Sequence, residues 1–489
     1  MEIYCSLHST HLSKSLHSHS FLPPFKKCYR KFPQHRKVLV QCSIAEAKGI
    51  RWGCEIDSLD NAYRLQDWLN KEGLPPQKLA IQKVDVGGRG LVALKNIRKG
   101  EKLLYVPQNL IITPDSAWST PALGDILRRN SVPEWPFLAI YLINEASLNR
   151  SSKWNAYISA LPRHPYSILQ WSRAEVEMYL AASPVKVQAI ECINDVNETH
   201  QDLQTRIFSK YPDLFPQKVF NLETLKWAFG ILFSRLVRLP SMNNQIALIP
   251  WADMLNHSSE VDTYLDFDVL SKGIVFAADK AYQPREQVFI SYGKKSNGEL
   301  LLACGFVPEE GTNADDSVAL PLAIDKSDSC YDQKLELLQR HGLSTPQSFP
   351  LKMTGWPTQL EAYAFLVVSP PSMAQQFEKL AVAASSTGAY GSGLSFPEEL
   401  RVKAFQLILD TCETSISKYT AYIENVQKNG RQNLSDRQAL LKKLSVDLCS
   451  GEQRILFRAQ YVLRTKLKDL QGVGLKALNV FNGVKRLFS

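Results

Sequence analysis

The spacing of apolar residues changes period several times along the chain, and each change predicts an element. Residues 61–72 (NAYRLQDWLNKE) carry apolar positions at helical spacing and stop at Gly73 and Pro75, which predicts a short amphipathic helix. From Lys78 to Pro107 the pattern shortens to strand-like runs at 79–86, 91–94 and 103–106. With Gly87-Gly88-Arg89-Gly90 and Lys99-Gly100-Glu101 as turns, they predict a small β-meander. Helical spacing returns at 135–145, 172–182, 184–195 and 222–236, broken by Pro162, Pro165, Pro212 and Pro216. In the last of these, Leu225, Ala228, Phe229, Leu232 and Leu236 stand at i, i+3, i+4, i+7 and i+11, a single apolar stripe with Arg235 on its flank and Arg238 one turn on. Two apolar runs come next, 247–251 and 288–290, each predicted to be a strand ending in polar groups: Asp253, Asn256 and His257 after the first, Tyr292 after the second. Beyond Pro308 the polar stretch 309–315 marks a boundary, and the chain from there to its end reads as mostly helical. Capping boxes at Ser395 with Glu398, Ser435 with Gln438 and Ser450 with Gln453 predict three helix starts, and 383–395 predicts a flexible Ser/Gly loop. Val402, Phe405, Leu409, Cys412, Ile416, Tyr419 and Ile423 form the stripe of one long helix in a bundle.

Charge alters the picture at the N-terminus. The first 43 residues hold seven Lys or Arg and one acid, Glu2, so they carry six of the nine net positive charges. The rest of the chain is nearly neutral, and nucleic-acid binding has no support in it. A basic leader rich in Ser and His, without a secretory apolar core, has the composition of an organellar transit peptide, and Val38-Leu-Val-Gln-Cys42-Ser43 resembles a chloroplast processing site. The expected location is therefore the chloroplast stroma. No run approaches the ~18 apolar residues of a membrane span. Nine scattered cysteines include no CxxC pair, and they suggest neither a zinc cluster nor a disulfide framework.

The chemistry-bearing residues gather where the two central runs end. Asp253 and His257 lack the third ligand of a metal site, no HExxH motif occurs, and no GxSxG elbow supports a serine hydrolase. The glycine-rich turn lacks both the GxGxxG spacing of a dinucleotide fold and the GK[ST] ending of a phosphate loop. From these residues alone, His257 reads first as a structural histidine.

Four motifs in order carry a resemblance: Gly88-Arg-Gly-Leu-Val92; Ala228-Phe-Gly-Ile-Leu232 with Ser234-Arg235; Ala252-Asp-Met-Leu-Asn-His257; and Ile290-Ser-Tyr292, followed by Ser296-Asn-Gly-Glu-Leu-Leu301 and Gly305-Phe306. Over residues ~78 to 480 the chain resembles the SET-domain protein methyltransferases of the plant Rubisco large-subunit methyltransferase type. The resemblance implies an α+β fold: a split SET domain at 78–310 with a helical insertion at about 117–240, and an all-α substrate-binding lobe at 320–489. A transit peptide (1–43) and a linker with a short helix (44–77) precede them.

It also implies S-adenosylmethionine as methyl donor, a lysine of a plastid protein as acceptor, and no metal. Rubisco large subunit and another stromal enzyme such as fructose-bisphosphate aldolase are the expected substrates, gripped by the C-terminal lobe of a monomer. By resemblance, Gly87, Gly88, Arg89, Arg235, Asn256 and His257 contact the cofactor. Arg235, Arg238, Asp253, Tyr264, Tyr292 and Cys304 face the substrate, and Tyr292 is catalytic. Cys304 stands where the family has a tyrosine, and Tyr264 is the best match for the tyrosine after the Asn-His pair, with Phe267 the alternative. Two other readings stay open: an inactive SET-like interaction module, and a protein-histidine methyltransferase. The leader reading predicts that residues 1–60 fused to a fluorescent reporter direct it to plastids; a cytosolic signal contradicts it.

Overall fold

The computed structural model describes residues 50–55, 58–84, 88–385, 396–428 and 435–485, and two hydrophobic cores organise them. The leader, Gly87, most of the Ser/Gly loop and the Ser395 cap lie outside the described residues.

The first core begins with α1 (Leu59–Lys71), β1 (Leu79–Val84), β2 (Gly88–Ala93) and β3 (Lys102–Pro107). Seven helices come next: α2 (Pro114–Trp118), α3 (Leu123–Arg129), α4 (Glu134–Ser147), α5 (Asn155–Ala160), α6 (Arg173–Tyr179), α7 (Val185–Leu203) and α8 (Leu222–Arg235). Short strands then return as β4 (Val237–Leu239), β5 (Gln245–Ala247), β6 (Asn256–His257), β7 (Asp266–Asp268), β8 (Gly273–Ala277) and β9 (Phe289–Ile290), before α9 (Asn297–Cys304).

The expected meander does not form. β1 and β2 pair from Leu79↔Ala93 to Val84↔Gly88, but β3 joins a three-stranded sheet in the order β3-β8-β7. The edge of β2 is taken instead by the chain before β9, where Arg285 N–H donates to Ala93 O at 2.7 Å and Val288 N–H to Leu91 O at 2.9 Å. A partner nearly two hundred residues away wins over the neighbour in sequence.

The single stripe read on α8 is also too narrow. Trp227, Gly230, Ile231 and Phe233 are buried along with the predicted positions, because α4, α7 and α9 pack on different sides of the helix. Asn221 caps its start, its side chain accepting from the Glu223 and Thr224 N–H groups, and Arg235 ends it.

The second core comprises β10 (Ser317–Leu322), α10 (Tyr331–Arg340), β11 (Gln347–Lys352), α11 (Thr358–Val368), α12 (Ala374–Ser385), α13 (Glu398–Lys428) and α14 (Asp436–Lys485). This region is helical, as expected, with an antiparallel β10–β11 pair added, α10 lying between the two strands in the chain. The Ser435 box caps α14, but Ser450 lies inside that helix. Gln453 does not turn back to cap it: its amide donates to Thr420 Oγ1 on α13 at 2.7 Å. The α13 stripe is buried as predicted from Phe405 to Tyr419.

Leu441, Leu444 and Leu448 of α14 enter the first core, and Ile455 to Leu467 the second, so one helix spans both. At the crossing Glu452 is wholly buried, accepting from Ser183 Oγ (2.9 Å) before α7 and from Tyr419 OH (2.8 Å) on α13. Burial pushes this carboxyl up to about 8 from an ordinary 4.5, outweighing the two hydrogen bonds that pull it down. Folding therefore takes up a proton between those values, and stability falls as pH rises through that window. Melting measured from pH ~5 to ~8 is expected to decline more steeply in the wild type than in Glu452→Gln, which keeps the neutral shape. Parallel curves contradict this.

Candidate active site

The long strand expected at 247–251 stops early. β5 ends at Ala247, Pro250 cannot donate to a ladder, and Trp251 takes φ +79°. A single 3-10 turn, Ala252–Met254, then delivers Leu255 and β6. β6 pairs in parallel with β9, Asn256 opposite Phe289 and His257 opposite Ile290, so the ends of both predicted runs do meet.

Tyr292 comes just after β9 and is fixed at three points. Its hydroxyl donates to Leu255 O at 2.8 Å, its N–H donates to His257 Nδ1 at 3.1 Å, and its ring stacks on the imidazole with centroids 5.1 Å apart. An accepting Nδ1 requires an unprotonated imidazole nitrogen, and burial agrees by holding His257 below its usual value. Burial likewise pushes the Tyr292 phenol well above its ordinary value, keeping it a donor. Cys304, at the end of α9, packs on the same core and is half-buried.

Behind this pair lies a buried ion pair. Arg235 Nη1 donates to Asp253 O at 2.9 Å and meets Asp253 Oδ2 at 3.2 Å, with side-chain exposures of 12% and 1%. Burial opposes the guanidinium charge, but Asp253, with Tyr157 and Tyr292 beside it, outweighs burial and raises the Arg235 pKa. Tyr157 OH, from α5, donates to the same Asp253 oxygen at 2.8 Å. Arg235 Nε and Asp253 Oδ1 are buried without a partner among the described residues.

On the other side, Asn256 Nδ2 donates to Arg89 O at 3.1 Å. A Cβ on Gly90 would sit 2.8 Å from Gln287 Nε2 and 2.9 Å from Asn256 Nδ2, so glycine leaves room there for two amides, and the Gln287 nitrogen is buried with no partner among the described residues. Unused amide and guanidinium donors suit hydroxyl and carboxylate groups, and no cluster among the described residues suits a metal. S-adenosylmethionine carries both a carboxylate and hydroxyls, so these residues fit it.

Of the remaining predicted residues, Gly88 stands two positions before Gly90 on β2, and the others lie elsewhere. Gly88 opens β2 with φ +74°. The Arg89 side chain is buried away from Asn256, donating to the Ser58 and Ala160 carbonyls beside Cys54, which makes it a tie between α1, α5 and β2. Arg238 donates to Asn244 O at 2.8 Å and lines a different cavity, of about 850 Å³, with Asp115 and Glu134. Tyr264 is 56% exposed, whereas Phe267 packs on the first core. Tyr157, Gln287 and the Leu255 carbonyl were missed, since no motif marks a contact spanning 96 residues or a main-chain oxygen.

Removing Asp253 leaves the Arg235 charge buried and unpaired. Asp253→Ala is expected to cost about 3–5 kcal/mol in chemical denaturation, against a much smaller loss for Glu101→Ala, whose ion pair with Lys78 is more exposed. Equal losses contradict the buried-pair account.

Comparison with known proteins agrees with the resemblance. Residues 88–293 match the SET domain family, and residues 325–456 match the family described as Rubisco LSMT substrate-binding. The chain is 29% identical over 418 residues to the chloroplastic Rubisco large subunit N-methyltransferase of Nicotiana tabacum, covering 82% of each protein. It is also 26% identical over 449 residues to the actin-histidine N-methyltransferase of Homo sapiens, covering 86% of this chain and 72% of the relative. Rubisco LSMT bound to AdoMet superposes with a TM-score of 0.66 at 26% identity, covering 84% of this chain and 93% of that one; Rubisco LSMT bound to sinefungin and monomethyllysine gives 0.67 with the same coverage. The chain thus belongs to the S-adenosylmethionine-dependent SET methyltransferases related to Rubisco LSMT, with a SET domain followed by a Rubisco LSMT substrate-binding domain.

Proposed function

We propose that this chain is a protein-lysine N-methyltransferase of the chloroplast stroma, acting as a monomer on Rubisco large subunit or another stromal enzyme such as fructose-bisphosphate aldolase. The observation that carries the reading is the Tyr292 phenol, held by the Leu255 carbonyl beside a neutral His257. The similarity to chloroplastic relatives, a neighbour bound to monomethyllysine, and the basic leader support the acceptor and the location.

S-adenosylmethionine, when bound, supplies a methyl group on a sulfonium centre. The protein's part is to hold the reactants and set the acceptor's protonation. Lysine has an unperturbed pKa of ~10.4, and a desolvated channel penalises its charged form, leaving a lone pair free to attack. Tyr292 and the carbonyls around it orient that amine, and alignment supplies most of the rate. Gly88, Arg235, Asn256, His257 and Gln287 hold the cofactor, while Asp253 and Cys304 shape the acceptor channel.

The actin-histidine N-methyltransferase relatives support one competing reading, in which the acceptor is an imidazole. Incubating the purified chain with labelled S-adenosylmethionine and stromal extract, then mapping the modified residue by mass spectrometry, separates the two. A methylated lysine is expected; a methylated histidine, or no transfer, overturns the proposal. Tyr292→Phe is expected to lower the transfer rate about a hundredfold or more while cofactor binding by calorimetry stays unchanged.

A further inference from the structure

The turn that carries Leu255 is short, strained and held from outside. Trp251 is fully buried at φ +79°, a conformation a bulky residue keeps only where its surroundings over-determine it. Internally the turn has two bonds, Met254 N–H to Trp251 O and Leu255 N–H to Ala252 O, both 3.1 Å. The Asp253 N–H also donates to Ile249 O at 3.0 Å, and two side chains from distant helices hold the turn from outside: Arg235 grips the Asp253 carbonyl and carboxylate, and Tyr157 grips the carboxylate alone.

We propose that Tyr157 is a positioning residue for the methyl-transfer reaction: its hydroxyl, through Asp253 and Arg235, holds the turn at 251–254 so that the Leu255 carbonyl meets the Tyr292 phenol. The inference rests on the role proposed above for Tyr292. Asp253 Oδ2 takes both donors while Oδ1 takes none among the described residues, so the carboxylate's orientation is set by where Tyr157 and Arg235 stand. Without the Tyr157 bond only Arg235 remains, and the carboxylate is free to turn its other oxygen toward that guanidinium. Arg235 holds the Asp253 carbonyl as well, so a guanidinium that follows the turning carboxylate loosens its hold on that carbonyl, and Leu255 lies two residues on, with Tyr292 OH at 2.8 Å from its oxygen. Tyr157 is wholly buried on α5, so its ring is fixed by packing, and burial keeps its hydroxyl protonated and donating. It has no hydrogen bond to Tyr292 itself; its effect passes through the turn.

The test compares two matched losses of a buried hydroxyl. Tyr157→Phe breaks the bond to Asp253, whereas Tyr141→Phe breaks the bond accepted from Trp154 Nε1 at 3.0 Å, at the start of the helix that carries Tyr157 but touching neither Asp253 nor the turn. With 3-fluorotyrosine incorporated at position 292, fluorine NMR tracks the phenol's environment and its titration whether or not the protein turns over. Tyr157→Phe is expected to shift or split that resonance and to lower the pH at which the phenol ionises, because the bond to Leu255 O favours the protonated form. Tyr141→Phe is expected to leave both unchanged. In turnover, kcat is expected to fall about ten- to a hundredfold in Tyr157→Phe, with KM for S-adenosylmethionine within about threefold. A resonance and titration identical to wild type, or a kcat loss no larger than in Tyr141→Phe, overturns the proposal. If the wild type transfers no methyl to lysine, the reading of function fails while the fluorine measurement still decides this one. If Tyr157→Phe does not fold, Asp253→Asn tests the same link: the same fluorine change supports it, and an unchanged resonance overturns it.

Discussion

The buried pair of Arg235 and Asp253 is the constraint on which the rest of the site depends. A cation closing a helix that is buried nearly all round is largely cut off from bulk water, and leaving it unpaired would cost more than the helix gains from its own C-terminal dipole. Asp253 must therefore lie against the end of α8, and with it the turn that precedes β6. Because α8 is packed on several sides by α4, α7 and α9, its end is fixed to the first core as a whole. The position of Leu255 O, and so the direction of the Tyr292 hydroxyl, descends from that packing through two covalent steps and two hydrogen bonds.

The strands at the site are too short to hold themselves. β6 and β9 share a register of two residues, far below what an isolated sheet needs. Their geometry comes from side chains and a neighbouring strand: His257 accepts the Tyr292 N–H, Asn256 ties to the Arg89 carbonyl, and the chain before β9 pairs with β2. The second core joins the same frame. Asp316, just before β10, accepts the Asn297 N–H at 2.8 Å at the start of α9, and Cys304 ends that helix in the core that holds Tyr292. One helix thus connects the substrate-binding domain to the pocket, while α14 and Glu452 tie the two cores at another point.

The helices were legible because their signals are local. The spacing within α8 and α13 and the Ser435 box each lie within a few turns of chain, and the structure keeps them. What failed depended on partners far away in sequence. The meander reading could not know that residues 285–288 would take the edge of β2, nor the Ser450 reading that Gln453 would reach across to Thr420 on α13. At the site, the motifs brought Arg235, Asp253, Asn256, His257, Tyr292 and Cys304 to notice as a set. They could not assign the Arg89 side chain, which turns into the core, or separate Arg238, which faces another cavity three residues from Arg235. Tyr157 carried no signal, because its value lies in one hydroxyl meeting one carboxylate across the fold.

The account stands on the claim that cofactor and acceptor meet at the β6–β9 pair, and a crystal structure of the chain grown with S-adenosylhomocysteine tests it most directly. The ligand is expected between Gly90, Asn256 and Gln287 on one side and Arg235 on the other, with Tyr292 still bonded to Leu255 O. Ligand density confined to the cavity beside Arg238, with the Gly90 cradle closed by its own amides, would contradict it.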